Sequence, residues 1–309
     1  MSFSHSFSRR RFLSFASAAC LLAPAAWAFQ WHGTALGASA RIILDHPDAE
    51  RITERALAEI TRLENIFSLY RDHSEITRLN ADGHLDAPSF ELLDCLAIAR
   101  QAHRVTGGRF DPTVQPLWRV LADAHVAGHP PKAAQLAAAR RSIGFEKLHF
   151  DSASVELAAG QQLTLNGIAQ GYIADRIALL MRAEGVEDVL IDTGEILAMG
   201  APKGSDAWPV TIVGEVEARA LSGRALATSA PFGMMIDAAG QVGHILDPRS
   251  GTALVTDIRQ VSVSAPHAAL ADALSTGLCA AKDVTEARHL LRNVKDAILE
   301  SVQTSADAI

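Results

Sequence analysis

Asp272 and Thr276 stand four residues apart in Ala271-Asp272-Ala273-Leu274-Ser275-Thr276, a spacing that puts both on one face of a helix. A carboxylate and a hydroxyl so placed, with a backbone carbonyl nearby, suit a hard cation such as Mg²⁺, which keeps waters and bridges to phosphate. The same carboxylate can instead accept local hydrogen bonds near its own helix start. His244 and Asp247 fall in a loop bracketed by Pro248 and Gly251. There an imidazole beside a carboxylate can act as a base near neutral pH, or stand as a solvated turn histidine. Asp111, just after Gly107-Gly108, can bind a hydroxyl or ring nitrogen, or cap the next turn. Tyr70 offers a ring for stacking, or a half-buried core side chain.

These residues are organised around Leu163 to Asp175, Leu-Thr-Leu-Asn-Gly-Ile-Ala-Gln-Gly-Tyr-Ile-Ala-Asp. Its first half alternates like the end of a strand, Asn166-Gly167 supplies a turn, and from Ala169 the apolar residues Ile173, Ile177, Leu180 and Met181 fall at helical spacing. The first N–H groups of such a helix have no internal partner and mark a site for an anion such as pyrophosphate. Gly167 and Gly171 would let a ligand approach the main chain. An ordinary strand-to-helix connection has the same pattern.

Around this bend, Trp31 to Leu44 alternates as a strand and Asp48 to Phe67 is an amphipathic helix with Ile52, Ala56, Ile60, Leu63 and Phe67 on one face. Ser68 to Ile76 is loop-like. Pro88 to Thr106 forms a second helix, ended by Gly107-Gly108, and Pro130-Pro131 to Arg141 a short surface helix. Leu148 to Leu165 is expected to be strands joined by a turn around Ala159-Gly160. Asp188 to Met199 is expected to be a buried strand interrupted at Gly194. Strands follow at Trp208 to Val213, Ala225 to Ser229 and around Val261 and Val263, and Pro266 opens the last helix. Strands grouped in pairs, with helices between the groups, predict an α+β fold with mixed, largely antiparallel sheets and packed helices. The chain has no internal repeat, no P-loop motif and no Gly-x-Gly-x-x-Gly.

The N-terminus has a separate purpose. Arg9-Arg10-Arg11-Phe12-Leu13 precedes an apolar, small-residue run to Ala26-Trp27-Ala28, the form of a secretory leader of the twin-arginine type. Residues 1–28 are therefore expected to be removed after Ala28, leaving 29–309 as one catalytic domain in the periplasm. Lipidation at Cys20 is the alternative, disfavoured because Ser17 stands where a lipobox wants Leu. Removing three arginines and no acid takes the net charge from −7 to −10, which argues against a nucleic-acid partner. Cys95 and Cys279 then remain, each in an apolar helix-like stretch that favours a buried free thiol, with one disulfide open as an alternative.

Eight ordered segments resemble the motifs of the FAD:protein FMN transferases, the ApbE family. They are Gly33-Thr34…Leu36-Gly37, Ser68-Leu69-Tyr70-Arg71, Gly108 to Thr113, Asn166 to Tyr172 with Asp175, Asp192-Thr193-Gly194-Glu195, Ala227-Thr228-Ser229, His244 to Pro248 with Gly251, and Ala271 to Thr276. They span Trp31 to Ala281. The Asn-Gly-Ile-Ala-Gln-Gly-Tyr and Asp-Thr-Gly-Glu forms look most like the branch associated with nitrous-oxide-reductase maturation, the NosX type. The resemblance implies a T-fold-related α+β architecture. It further implies Mg²⁺ held by Asp272, Thr276 and the carbonyl of Gly167, and FAD as substrate, bound through Leu36, Tyr70, Arg109, Phe110, Asp111, Gln170 and Leu246. His244, with Asp272, is the implied catalytic pair, His244 activating a threonine hydroxyl of a membrane-bound acceptor flavoprotein that takes FMN while AMP leaves. Thr164, Gln170, Leu36 and Glu195 depart from the residues many members carry, which are Asp, Lys or Glu, Met and Gly. A periplasmic FAD carrier and an FAD pyrophosphatase are the alternative functions.

Overall fold

The structure, a computed structural model, describes residues 18–19, 29–35, 37–237, 240 and 242–308. A two-residue strand, β1 (Ala18–Ala19), precedes the hairpin of β2 (Phe29–Ala35) and β3 (Ala38–Leu44). The expected amphipathic helix is α1 (Ala49–Phe67), and Ile52, Ala56, Ile60, Leu63 and Phe67 are all buried, as one face of a 3.6-residue period requires. The loop expected after Ser68 gives way to a second helix, α2 (Glu75–Asp82). Ser74 Oγ accepts from Thr77 N at 3.1 Å to start it, and Gly83 at φ 74° ends it. Strand β4 (His84–Asp86) leads to α3 (Phe90–Val105), capped by Ser89. A further helix without a clear sequence signal, α4 (Gln115–Val126), has a proline in its first turn, and α5 (Ala133–Ser142) is the expected surface helix.

Next come β5 (His149–Phe150) and β6 (Ser154–Glu156), which form a small antiparallel sheet with β4. The expected strand through Leu165 stops at Glu156. Between 157 and 165 the Asn80 side chain takes over a neighbouring strand's bonding: its Nδ2 donates to Leu163 O at 2.8 Å and its Oδ1 accepts from Leu163 N at 2.7 Å. The bend at Asn166-Gly167 then opens into α6 (Ala169–Ala183).

The expected single strand after α6 is a hairpin, β7 (Val189–Asp192) and β8 (Ile196–Met199), turning at Gly194 with φ 103°. It is followed by β9 (Trp208–Ile212), β10 (Ala218–Leu221), β11 (Arg224–Ser229), the short pair β12 (Leu246–Asp247) and β13 (Thr252–Ala253), β14 (Ile258–Ala265) and α7 (Ala268–Leu278). That helix is not the last. Asp283 caps α8 (Val284–Leu291) by accepting from Glu286 N at 2.8 Å, and β15 (Ile298–Thr304) closes the chain's order.

Seven strands make one sheet in the order β15-β14-β11-β8-β7-β3-β2, each neighbour antiparallel. The run Val189-Leu190-Ile191 carries no polar alternation because both faces of the sheet are covered. Val189 and Ile191 join the core beneath α1, α3 and α6, whereas Leu190 joins Trp208, Val210 and Ile212 of β9 on the other face. The antiparallel sheet with packed helices is the α+β class that the strand grouping predicts.

Leu36 and most of the expected leader, including Cys20, lie outside the described residues. Within the leader, Ala18 and Ala19 pair with Ile212 and Thr211 of β9. Cys95 and Cys279 are free, buried thiols, so the disulfide alternative is not the observed state. Among the described residues no helix is long and apolar enough to cross a membrane.

Candidate active site

The bend before α6 lies against the last turns of α7. A Cβ built on Gly167 would sit 3.0 Å from Thr276 Oγ1 and 3.4 Å from the Phe110 ring, so Gly167, Thr276 and Phe110 share one small space. Asp272, one turn before Thr276, is almost fully buried, and its Oδ2 accepts a 3.3 Å hydrogen bond from Gly171 N. The carboxylate thus reaches across to α6 instead of capping its own helix. The three residues expected to hold Mg²⁺ therefore come together, Gly167 with Asp272 and Thr276, although about a hundred residues separate the first from the other two.

Two expectations about the bend are corrected. The helix start is largely taken up by the protein itself: Ile168 N and Ala169 N both donate to Leu165 O, at 3.0 and 2.8 Å, and Gly171 N donates to Asp272. Nor does Gly171 leave room for a ligand. A Cβ there would lie 2.7 Å from Ala269 N and closer still to the Ala268 carbonyl, so what approaches is the backbone of α7.

Burial sets the electrostatics. It raises the Asp272 carboxyl to about 7, against its ordinary 3.8, with the Gly171 N–H pulling the other way. Glu195, also buried, is raised well above the ordinary carboxyl range by burial and then by the charge of Asp272, and its Oε2 accepts from Thr228 N at 3.1 Å. Among the described residues no ion pair reaches Asp272 or Glu195, whereas Asp192 has Arg41 at 3.8 Å. Two buried acids without a cation hold their protons unusually tightly, and a divalent ion would favour their ionised forms; a carboxylate with a hydroxyl and a carbonyl is a donor set that fits Mg²⁺.

Hydroxyls complete the wall. Ser229, at the end of β11, has its Oγ 2.8 Å from Ser275 Oγ and 3.1 Å from Thr276 Oγ1, so it fixes the hydroxyl that would face the ion. Ser229 falls within the Ala227-Thr228-Ser229 motif, which by itself implies no role for it. Its signal is its place at a strand end opposite a helix 47 residues later, which no local pattern encodes.

The remaining expected residues divide. Gln170 Nε2 donates to Thr193 O at 3.1 Å, tying α6 to the β7–β8 turn. Arg109 donates to Thr106 O at 3.0 Å and to Ala280 O at 3.3 Å and pairs with Glu286. Asp111 is buried and caps the turn that follows: Oδ1 accepts from Thr113 N at 2.8 Å, and Oδ2 from Phe145 N at 3.1 Å. Leu246 is buried in the cluster with Leu117 and Ile236, and Tyr70, 62% exposed, is not a core residue.

His244 is oriented by the backbone. Its Nδ1 lies 3.2 Å from Met234 O, and its own N donates to the same carbonyl at 3.0 Å. A carbonyl only accepts, so Nδ1 carries the hydrogen and Nε2 presents its lone pair. Burial lowers the imidazole pKa below its ordinary value, keeping the ring unprotonated near neutral pH and so free to accept a proton. The expected partner, Asp247, is engaged instead by Arg249 Nε at 3.1 Å and Arg249 N at 3.1 Å.

Comparison with known proteins adds the following. A sequence profile of the ApbE family matches residues 33–299. The FAD:protein FMN transferase of Treponema pallidum is 31% identical over 274 residues, covering 76% of this chain and 73% of the relative. The FAD:protein FMN transferase of Salmonella typhimurium is 28% identical over 269 residues, covering 80% and 76%. Among solved structures, the apo flavinyl transferase ApbE of Pseudomonas stutzeri superposes with a TM-score of 0.74 at 25% identity, covering 91% of this chain and 96% of that one. An ApbE protein of Thermotoga maritima gives 0.78 at 24% identity, covering 90% and 96%.

Proposed function

The chain belongs to the ApbE family, and we propose that it is an FAD:protein FMN transferase that moves the FMN half of FAD onto a threonine of an acceptor protein. The observation that carries this reading is the convergence of Gly167, Asp272 and Thr276 beside the buried acid Glu195. Asp272, Thr276 and the Gly167 carbonyl would hold Mg²⁺, which when bound neutralises charge on the FAD pyrophosphate. Asp272 supplies the negative charge for that ion, and Ser229 holds the Thr276 hydroxyl in place. His244, neutral and with Nε2 bare, takes the proton of the attacking hydroxyl. The threonine oxygen then forms a phosphoester to the FMN phosphorus, the P–O–P bond breaks, and AMP leaves with the bridging oxygen. Tyr70, Arg109, Phe110, Asp111, Gln170 and Leu246, together with Leu36, are assigned to FAD by their match to the family motifs.

The finer reading adds that the chain is of the NosX type and that its acceptor, reached in the periplasm, is a membrane-bound flavoprotein such as the regulator or electron donor of nitrous-oxide reductase. Its support is the Asn166-to-Tyr172 and Asp192-to-Glu195 wording and the twin-arginine leader. The test incubates the mature chain with FAD, Mg²⁺ and a threonine-bearing acceptor. Flavin fluorescence on the acceptor after denaturing electrophoresis is the expected result. AMP with no labelled acceptor means a pyrophosphatase, and bound but intact FAD means a carrier.

A further inference from the structure

Helices α6 and α7 meet through three rungs at a fixed spacing. Gly167 faces Thr276, Gly171 faces Asp272, and Asp175 faces Ala268, so each step of four residues forward on the first helix matches a step of four back on the second. The first two rungs belong to the site just described. In the third, Asp175 Oδ1 accepts from Ala268 N at 2.8 Å and Oδ2 from Ala269 N at 2.9 Å. These are the first N–H groups of α7, which its own N-cap residue, His267, leaves without a side-chain cap. The helix that carries Asp272 and Thr276 is thus capped by a side chain 93 residues earlier in the chain.

We propose that Asp175 is a positioning residue: by gripping the start of α7 with both carboxylate oxygens, it sets the register in which Asp272 and Thr276 meet the Gly167 carbonyl. The inference rests on the metal reading above. Between the grip and the metal rung, Gly171 keeps the two backbones in contact, so the helices have no side-chain layer between them to absorb a slip. A metal site tolerates errors of about 0.2 Å in ligand distance, whereas freeing one end of α7 lets Asp272 and Thr276 shift together by more. Asp175 touches neither proposed ligand. Its neighbours in charge are His267, which opposes burial in its effect on the carboxyl, and Asp94, which adds to it.

The test uses the mature, metal-free chain and Mn²⁺ as the probe, its binding followed by loss of the free-ion electron paramagnetic resonance signal with no FAD present. Asp175→Ala should weaken Mn²⁺ binding tenfold or more. Asp175→Asn, which keeps the size and one accepting oxygen and so safeguards folding, should weaken it roughly threefold to tenfold. Trp208→Phe, a core change on the opposite face of the sheet, should lower thermal stability without changing Mn²⁺ affinity. In parallel, hydrogen exchange should quicken across 268–278 in both Asp175 variants while α3 keeps its protection. Asp175 variants that bind Mn²⁺ as wild type and exchange normally across α7 would overturn the proposal. If wild type takes up no Mn²⁺, or Asp272→Ala binds it equally well, the metal reading fails; the exchange result then decides alone whether Asp175 holds the register.

Discussion

Replacing Asp272 with asparagine should stabilise the protein that it inactivates, at one end of the pH scale only. The folded-state carboxyl sits at about 7 and the ordinary value is 3.8, so the folded protein holds this proton more tightly than the unfolded chain does. Its contribution to metal-free stability is fully present below the unfolded value and is lost as pH rises through about 7. At 1.36 kcal/mol per tenfold change, ionising it at pH 8 costs on the order of 4 kcal/mol. An asparagine removes that charge but leaves a buried amide N–H short of a partner, about 1–3 kcal/mol. The net gain at pH 8 is then roughly 1–3 kcal/mol, or about 2–5 °C in Tm for a chain of this size. At pH 5 the folded carboxyl is protonated while the unfolded one is largely ionised, so only roughly 1.6 kcal/mol of that cost remains, within the range of the amide penalty, and the variant should melt close to the wild-type temperature or below it. Scanning calorimetry of both metal-free proteins at pH 5 and pH 8, each with and without Mg²⁺, tests this. Mg²⁺ should raise the wild-type Tm at pH 8 and leave the variant unmoved, and the variant should transfer no FMN. A variant destabilised equally at both pH values, or one that still answers to Mg²⁺, would refute the reasoning.

Gly171→Ala drives a methyl group into the Ala268 carbonyl; an overpacking cost of about 1–3 kcal/mol or more should appear as a lower Tm together with loss of transfer, and a wild-type melting curve would show that the helices do not touch there. His244→Ala should lose about 10²–10⁴-fold in transfer rate with FAD affinity kept, as measured by flavin fluorescence quenching; FAD affinity falling in step with rate would make His244 a binding residue instead. In wild type the rate should fall as pH drops through the His244 value, which burial places below the ordinary 6.5, because the protonated ring accepts nothing. Changing Arg9 and Arg10 to lysine should strand the precursor in the cytoplasm, followed by immunoblots of cell fractions; a precursor that still reaches the periplasm removes the twin-arginine reading.

Local patterns in the chain were enough for α1, α3 and α6, because each buries one stripe of apolar residues and ends at glycine or a polar cap. The β7–β8 hairpin was missed for a physical reason: with both faces of the sheet buried, Val189-Leu190-Ile191 and Ile196-Leu197-Ala198 lack the alternation that separates a strand from its turn. At 163–165 alternation was present and misleading, since Asn80, not a strand, supplies the partner. Within the site, Asp272 and Thr276 were visible as a helical pair. What faces them was not, because it depends on how α6 and α7 dock. The orientation of His244 had no signal at all: Met234 contributes a backbone carbonyl, which every residue type carries.

The two helices that meet at the site are joined by a long excursion of the chain. Asp175 and Ala268 are 93 residues apart, Gly171 and Asp272 are 101, and between them β11 must pair with β8 behind it and β14 ahead of it. Contacts of such span require closure of a large loop before they return any stabilisation, so they form slowly and late. During synthesis α6 would leave the ribosome with one wall of the pocket and wait for some ninety further residues before the other wall exists. On the proposed function, metal and nucleotide affinity would then arise in a single late step instead of accumulating with chain length. A molecule that holds flavin is one whose topology is already complete, and flavin fluorescence during refolding should change only in the slowest phase.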